Sequence, residues 1–179
     1  MQQIQIHDKT FGISILHEEI RASIRRVAMK INEDLKGKTP IFVCILNGSF
    51  MFASDLLKEI TLPCEVSFVK MASYQGTKSS GIVKELIGFN ESLKNRTIVI
   101  VEDIVDSGNT MGLIIDKLNE LGVEEVKIAT LLLKPDAYKK SIPLDYVGMS
   151  IPNDFIVGYG LDYNGHGRNL KDIYKNISD

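Results

Sequence analysis

Long apolar runs are absent from this sequence. The longest one, Ile41–Leu46, is far shorter than the roughly 20 apolar residues that a membrane-spanning helix needs. The N-terminus also lacks the basic residues and apolar core of a signal peptide, so none is expected. We therefore predict a cytoplasmic protein that makes no contact with a membrane.

Cysteine is scarce, and charge of one sign does not dominate. The 179 residues include two cysteines, and neither Cys44 nor Cys64 belongs to a CxxC motif or stands near a histidine at ligand spacing. We expect buried thiols in a reducing compartment rather than disulfides or a metal site. The formal net charge is -2, so no overall basic field invites nucleic acid, although a local basic patch stays open.

The remaining sequence indicates one α/β domain over residues 1–179, because it shows no internal repeat, linker or low-complexity segment. Apolar residues at helical spacing predict helices at residues 18–36, 50–60 and 111–121. Short apolar runs predict buried strands at residues 41–46, 65–71, 97–101 and 126–133. Strands that alternate with helices are typical of βαβ units, so we predict a mainly parallel, twisted sheet flanked by helices.

Two loops of this predicted sheet lie where ligands usually bind. Residues 47–49 and 106–110 each follow a buried strand, and ligands of parallel sheets bind beyond the carboxyl ends of the strands. A third segment, residues 72–95, is polar and contains several Ser and Gly residues. We predict a long loop there, with or without a hairpin. Loops of this length are usually functional or mobile, and an inert insertion is the alternative.

The loop at residues 106–110 has the composition of a phosphate site. Ser107 and Thr110 offer hydroxyl donors, and Gly108 lets the backbone approach a ligand closely. The predicted helix that follows would direct its N-terminal amides into the same loop. The alternative is a simple helix cap by Asp106 or Ser107. The loop is not a Walker motif, because no GxxxxGK[ST] pattern occurs.

Two acids, Glu102 and Asp103, precede this loop at the end of the predicted strand. Consecutive side chains on a strand face opposite ways, but at a strand end both can reach the cleft. Paired carboxylates there suit sugar hydroxyls or hydrated Mg²⁺. The alternative for an isolated Glu-Asp pair is two solvated loop residues.

The segment Val101-Glu102-Asp103-Ile104-Val105-Asp106-Ser107-Gly108-Asn109-Thr110 resembles the phosphoribosyl pyrophosphate loop of the type I phosphoribosyltransferases. Its form is most similar to that of the hypoxanthine-guanine phosphoribosyltransferases. The resemblance implies a single-domain fold with a small hood and a mobile lid loop, a homodimer or homotetramer, and Mg²⁺ as cofactor. It also implies that Ser107, Gly108, Asn109 and Thr110 bind the substrate phosphate.

Further segments match the same family in the same order. Ile45-Leu46-Asn47-Gly48-Ser49 is similar to the family's pyrophosphate loop, whose backbone amides hold the diphosphate, often with a cis peptide before the second residue. Family members usually carry Lys or Arg where this chain has Asn47, so one cation is missing. Without the resemblance, Asn47-Gly48 would indicate a turn. Ser73-Tyr74 is similar to the start of the family's lid.

Residues near the C-terminus match the family's base site. By resemblance, Lys134 donates to the 6-oxo group of a purine, the Phe155 ring stacks on the base, and the Ile156 backbone reads the base edge. Asp162 would bind Mg²⁺ or the base side of the site, and Arg168 would hold pyrophosphate. On pattern alone, Lys134 and Arg168 would be surface cations, and residues 154–163 would be a strand with a core Phe. His166 has no assigned role.

The reaction implied by the resemblance is transfer of a 5-phosphoribosyl group to an oxopurine. Asp106 would accept the purine ring proton as general base. Glu102 and Asp103 would hold the ribose hydroxyls or, with Asp162, the Mg²⁺. Two alternatives stay open: an enzyme for another base, such as xanthine, and a regulatory protein that senses a nucleotide or binds RNA. The second would be expected to show a basic face or an added binding module.

Overall fold

The computed structural model of the chain describes residues 3–73, 83–87 and 92–178. Its larger sheet contains β3 (Ile41–Leu46), β4 (Glu65–Ser73), β5 (Val83–Ile87), β6 (Thr97–Val105), β7 (Glu125–Leu133) and β8 (Tyr146–Ser150). The strand order is β5-β4-β3-β6-β7-β8, and every neighbouring pair is parallel except β4 and β5. The helices are α1 (His17–Asp34), α2 (Phe50–Glu59) and α3 (Asn109–Glu120).

The helices cover both faces of this sheet. Phe42 and Cys44 of β3 pack into a buried cluster with α1 and α2. Their neighbours Ile41 and Val43 point to the other face and pack with α3. Strands that are buried on both faces read as continuous apolar runs, which is why the sequence predicted them. The mainly parallel sheet flanked by helices is confirmed.

A smaller antiparallel sheet, which we call the hood, joins the two ends of the chain. It contains β1 (Gln3–Ile6), β2 (Lys9–Ile15), β9 (Ile156–Val157) and β10 (Ile173–Asn176), in the order β1-β2-β10-β9. Phe11, Val157 and Tyr174 form its buried core. Periodicity predicted none of β1, β2 and β10, because short strands with one exposed face give weak patterns. The hood itself was an expectation from the resemblance.

The two largest corrections to the predicted boundaries concern strands. β6 continues to Val105, because Ile104 and Val105 still pair with Leu132 and Leu133 of β7. The predicted strand over residues 154–163 is reduced to β9. Extended structure ends after β9 because Gly158, Tyr159 and Gly160 all have positive φ angles, which no β-strand accommodates.

The helices and the two cysteines both relate to expectations from the sequence. Among the described residues, no helix is both long enough and apolar enough to cross a membrane. Cys44 and Cys64 are both free thiols; Cys44 is buried as predicted, whereas Cys64 is partly exposed, so the prediction of a buried thiol is wrong for Cys64.

Candidate active site

A cleft lies beyond the carboxyl ends of β3, β6 and β7, beneath the hood. It brings together eight residues that the sequence predicted for the site. These are Gly48, Asp103, Asp106, Lys134, Phe155, Ile156, Asp162 and Arg168. The loop from Glu102 to Met111 encloses an adjoining pocket, which includes Ser107, Gly108, Asn109 and Thr110. The predicted phosphate loop and the predicted base residues therefore border one continuous region around Asp103 and Asp106.

The phosphate loop leads directly into α3. Gly108 is the N-cap residue, with a φ angle of 79°. The Ser107 Oγ atom accepts a long hydrogen bond from the Asn109 amide at 3.5 Å, so the alternative interpretation of a helix cap stays open for Ser107. The first turn of α3 carries no acidic residue, and the first amides of a helix have no partner inside the helix. Together these amides provide an uncompensated positive end that suits a phosphate.

Glu102 and Asp103 form a compact acidic pair at the end of β6. The Asp103 side chain is buried, and its Oδ1 accepts a hydrogen bond from the Ile104 amide at 2.9 Å. Burial and the neighbouring Asp103 charge raise the pKa of Glu102 well above its usual range. Burial also raises the pKa of Asp103. Two desolvated carboxyl groups in contact disfavour a double negative charge, so a proton or a cation stabilises the pair.

The loop after β3 packs tightly against this acidic pair. Its Leu46–Asn47 peptide bond is cis, as the resemblance implies. A Cβ atom built on Gly48 would lie 1.7 Å from Asp103 Oδ2, so only glycine fits there. A Cβ on Gly160 would lie 2.0 Å from the Gly48 carbonyl oxygen. These contacts place the backbone of the loop directly over the end of β6, while Asn47 itself is exposed.

Asp106 and Lys134 face each other across the cleft. The Lys134 Nζ atom lies 3.8 Å from Asp106 Oδ2. Lys134 is buried, whereas the Asp106 side chain is 56% exposed. The pattern-based interpretation of Lys134 as a solvated surface charge is therefore wrong, because the ammonium group lies inside the cleft beside a carboxylate. The Asp106 carboxylate is exposed, and the Lys134 ammonium group lines the cleft, so both groups can contact a ligand there.

The Phe155 ring borders the same cleft. The ring is 44% exposed, so the pattern-based prediction of a core Phe is wrong. Its backbone leads into β9, where Ile156 is buried. Phe155 and Lys134 line the same cleft, and an exposed aromatic face there can stack on a flat ring.

Asp162 and Arg168 form an ion pair on the hood side of the cleft. The Arg168 Nη1 atom also donates to the Gly160 carbonyl oxygen at 2.6 Å. Asp162 Oδ2 accepts a further hydrogen bond from the Gly165 amide at 2.7 Å. Arg168 is therefore a partly buried, doubly anchored cation next to the loop after β3, and not a free surface charge.

Within the described part of the chain, the acidic pair offers the donor set that best fits Mg²⁺. Among the described residues, no three His, Cys, Asp or Glu side chains are arranged as a preformed metal site. Mg²⁺ usually binds through one or two carboxylates together with waters and substrate phosphates. Glu102 and Asp103 fit that requirement, whereas Asp162 is held by Arg168. The three-residue ligand set stays a prediction.

The described residues include only the first of the two predicted lid residues, Ser73 and Tyr74. Ser73 ends β4, and Tyr74 lies outside the described residues, so the lid prediction stays open. Ile104 and Leu161 also line the cleft but were not predicted. Ile104 lies inside the motif and Leu161 precedes Asp162, but both are apolar, and nothing in their type distinguishes them from residues of the core.

The chain is similar to known proteins over most of its length. Residues 13–164 match the family described as "Phosphoribosyl transferase domain". The hypoxanthine-guanine phosphoribosyltransferase of Streptococcus pneumoniae is 40% identical over 159 residues, which cover 88% of this chain and 88% of that protein. The crystal structure of a hypoxanthine phosphoribosyltransferase from Staphylococcus aureus superposes with a TM-score of 0.87 at 36% identity, and covers 94% of each chain.

A longer protein also matches. The bifunctional protein TilS/HprT of Listeria innocua is 39% identical over 166 residues, or 92% of this chain, but the chain spans only 26% of its length. The full-length match to the S. pneumoniae protein is the more informative one, because nearly all of both chains align. This chain belongs to the phosphoribosyl transferase family and, within it, to the hypoxanthine-guanine phosphoribosyltransferases.

Proposed function

We propose that this chain transfers the 5-phosphoribosyl group of phosphoribosyl pyrophosphate to hypoxanthine or guanine, with release of pyrophosphate, as a step of purine salvage. The observation that carries the proposal is the juxtaposition of Asp106 and Lys134, 3.8 Å apart, between a phosphate loop and an exposed aromatic ring. Membership of the hypoxanthine-guanine phosphoribosyltransferases supports the same substrate pair.

The phosphate end of the substrate binds to the two loops. The amides at the start of α3, with the hydroxyls of Ser107 and Thr110, hold the 5-phosphate. The Gly48 backbone, close to Arg168 through Gly160, holds the diphosphate. Charge-assisted hydrogen bonds from Arg168 stabilise the diphosphate as it leaves.

The base end is defined by Lys134 and Phe155. The Lys134 ammonium donates to the 6-oxo group of the purine, while the Phe155 ring stacks on the base. Ile156 offers its backbone to the base edge. A cation at this point favours an oxo acceptor, whereas the amino group of adenine would meet it with a donor. The base site therefore rejects adenine because binding it would leave the Lys134 donor without an acceptor. A buried donor left unpaired discriminates strongly between two ligands.

Asp106 acts as the general base. As the bond between the anomeric carbon and the diphosphate breaks, a bond forms from that carbon to a purine ring nitrogen. The proton of that nitrogen passes to the exposed Asp106 carboxylate. Lys134 holds the carboxylate in place by charge, and the remaining catalysis comes from positioning and electrostatic stabilisation.

Glu102 and Asp103 are the residues that would hold Mg²⁺, together with the ribose hydroxyls. When bound, Mg²⁺ supplies charge neutralisation at the diphosphate. Within the protein, the desolvated pair provides the hard oxygen donors that this cation prefers. Asp162 contributes through its ion pair with Arg168, which orients the guanidinium toward the cleft.

The proposal covers the whole chain as one phosphoribosyltransferase domain. A homodimer or homotetramer and a cytoplasmic location are further parts of it, both taken from the sequence and the family resemblance. No nucleic-acid or membrane partner is proposed.

A substrate panel tests the proposed function. The protein is incubated with phosphoribosyl pyrophosphate, Mg²⁺ and, separately, hypoxanthine, guanine, xanthine or adenine, and nucleotide formation is followed. We expect turnover with hypoxanthine or guanine and none with adenine. Turnover with xanthine alone would move the assignment to that base, and no turnover with any purine would contradict the proposal.

A further inference from the structure

The Phe155 ring is held between two other aromatic rings, Phe11 in β2 and Tyr163 in the loop after β9. The Tyr163 ring meets it edge-to-face, with ring centroids 5.5 Å apart and an angle of 86° between the planes. The Phe11 ring lies 5.9 Å away at 48° and is fully buried. Edge-to-face pairs at this distance are attractive beyond the area they bury. The orientation of the exposed Phe155 ring therefore depends on Phe11 and Tyr163.

Tyr163 is itself tied to the N-terminal hairpin. Its hydroxyl donates to Asp8 Oδ1 at 2.7 Å. This hydrogen bond raises the pKa of Tyr163 and lowers the pKa of Asp8, so at neutral pH a phenol faces a carboxylate. The Lys9 Nζ atom lies 5.8 Å from the Tyr163 ring centroid, in range of a cation–π interaction. The backbone of Tyr163 is also paired with His166.

Asp8 comes from a part of the chain that is remote in sequence from the base site. It lies in the turn between β1 and β2, next to His7, whose φ angle is 53°. Residues 3–12 precede the segment 13–164 that matches the family. The hairpin nevertheless contacts Tyr163 through Asp8. A residue outside the matched segment therefore holds a ring that packs on Phe155 of the cleft.

We infer that Tyr163, tethered by Asp8, is a positioning residue that orients the Phe155 ring for the purine base. The consequence is that the N-terminal hairpin contributes to the affinity for the base without touching it. Because this rests on the proposed function, it is tested through the Michaelis constants of the two substrates, measured separately.

Three variants separate the contribution of the Tyr163 ring from that of its hydrogen bond to Asp8, which we call the tether. Tyr163→Leu removes both, and we expect the KM for hypoxanthine to rise about 2- to 10-fold with the KM for phosphoribosyl pyrophosphate unchanged. Tyr163→Phe and Asp8→Ala each keep the ring and remove the tether, so each should produce a smaller rise in the same direction. The double variant of these two should match either single variant, because both remove the same hydrogen bond.

Tyr138→Phe is the matched control. It also deletes a phenol hydroxyl, which donates to the Ile142 carbonyl oxygen at 2.5 Å. The Tyr138 ring lies against Gly108 of the phosphate loop and, in the described part of the chain, makes no ring contact with Phe155. The KM for hypoxanthine should equal the wild-type value. If Tyr163→Leu fails to fold, the two tether variants, which alter exposed polar atoms, still decide the question.

Each outcome bears on a different claim. A wild-type KM for hypoxanthine in Tyr163→Phe and Asp8→Ala, with normal wild-type turnover, would overturn the positioning role and leave the proposed function intact. Equal rises in both Michaelis constants would indicate a general structural effect and would also overturn it. Absence of purine turnover in the wild-type protein would overturn the proposed function, and the positioning role with it.

Discussion

The phosphate side and the base side of the cleft are built in different ways. The acidic pair and the phosphate loop form one continuous segment at the end of β6 and the start of α3. The base side instead combines Lys134 after β7 with Phe155 and Ile156 at the start of β9, and the diphosphate contacts come from Gly48 after β3 and Arg168 in the loop after β9. One segment of the sequence therefore encodes the acidic pair and the 5-phosphate loop, whereas the base side and the diphosphate contacts form only when distant segments fold together.

This difference gives the two sides different tolerances. The phosphate side depends on close backbone packing, such as that of Gly48 on Asp103. The base side depends on side chains whose positions are set by an ion pair and by ring contacts, including those of Lys134 and Phe155. Changes in the tightly packed backbone should therefore act through steric fit, and changes in side chains that face the cleft through the gain or loss of single interactions.

Asp106 lies where the two sides meet, and Asp106→Asn should give the largest effect. The amide keeps the shape of the carboxylate but cannot accept the purine proton at an ordinary pH. We expect turnover to fall about 10²- to 10⁴-fold, while binding of phosphoribosyl pyrophosphate persists. Steady-state kinetics together with calorimetric titration of the substrate measure the two quantities. Unchanged turnover would show that Asp106 is not the general base.

Gly48→Ala should damage the phosphate side selectively. The added methyl group would meet Asp103 Oδ2 at 1.7 Å, and relief of such a clash costs roughly 1–3 kcal/mol. We expect the KM for phosphoribosyl pyrophosphate to rise by about tenfold. Gly112→Ala in α3 is the matched control, since its Cβ would meet only Ile142 Cδ1 at 3.8 Å. If both variants had similar KM values for phosphoribosyl pyrophosphate, the clash between the added methyl group and Asp103 would not explain the effect.

Asn47→Lys should give a smaller effect of the opposite sign. Asn47 is exposed on the loop after β3, where an added cation would face the diphosphate. An exposed charge contributes little, so we expect pyrophosphate to bind about 2- to 5-fold more tightly. Calorimetric titration with pyrophosphate measures the change, and Asn47→Gln controls for side-chain length. Weaker or equal binding by the lysine variant would contradict the expected gain from an added cation.

The phosphate side could be predicted from the sequence to a greater extent than the base side. β3, β6 and β7 are buried on both faces and were predicted from their apolar runs, and the motif after β6 indicated a phosphate loop by itself. The exposure of Phe155 and the burial of Lys134 could not be predicted from periodicity, because each depends on a strand or loop that is distant in sequence. The family resemblance placed both residues at a base site, which the periodicity of the chain does not reveal.

The end of β6 shows why boundaries are harder to predict than the strands themselves. Glu102 and Asp103 look like loop residues in a sequence, yet Ile104 and Val105 keep their pairing with β7. The hood shows the same limit, since β2 and β10 pair residues from opposite ends of the chain. Tertiary pairing supplies the stability that these short segments lack locally.

The central claim is that one cleft holds a phosphate side and a base side with separate residues. The most direct test measures the KM of both substrates for Gly48→Ala and Lys134→Gln in parallel. We predict that Gly48→Ala raises chiefly the KM for phosphoribosyl pyrophosphate, and that Lys134→Gln raises chiefly the KM for hypoxanthine. If Lys134→Gln instead left the KM for hypoxanthine unchanged and raised that for phosphoribosyl pyrophosphate, the assignment of the two sides would be contradicted.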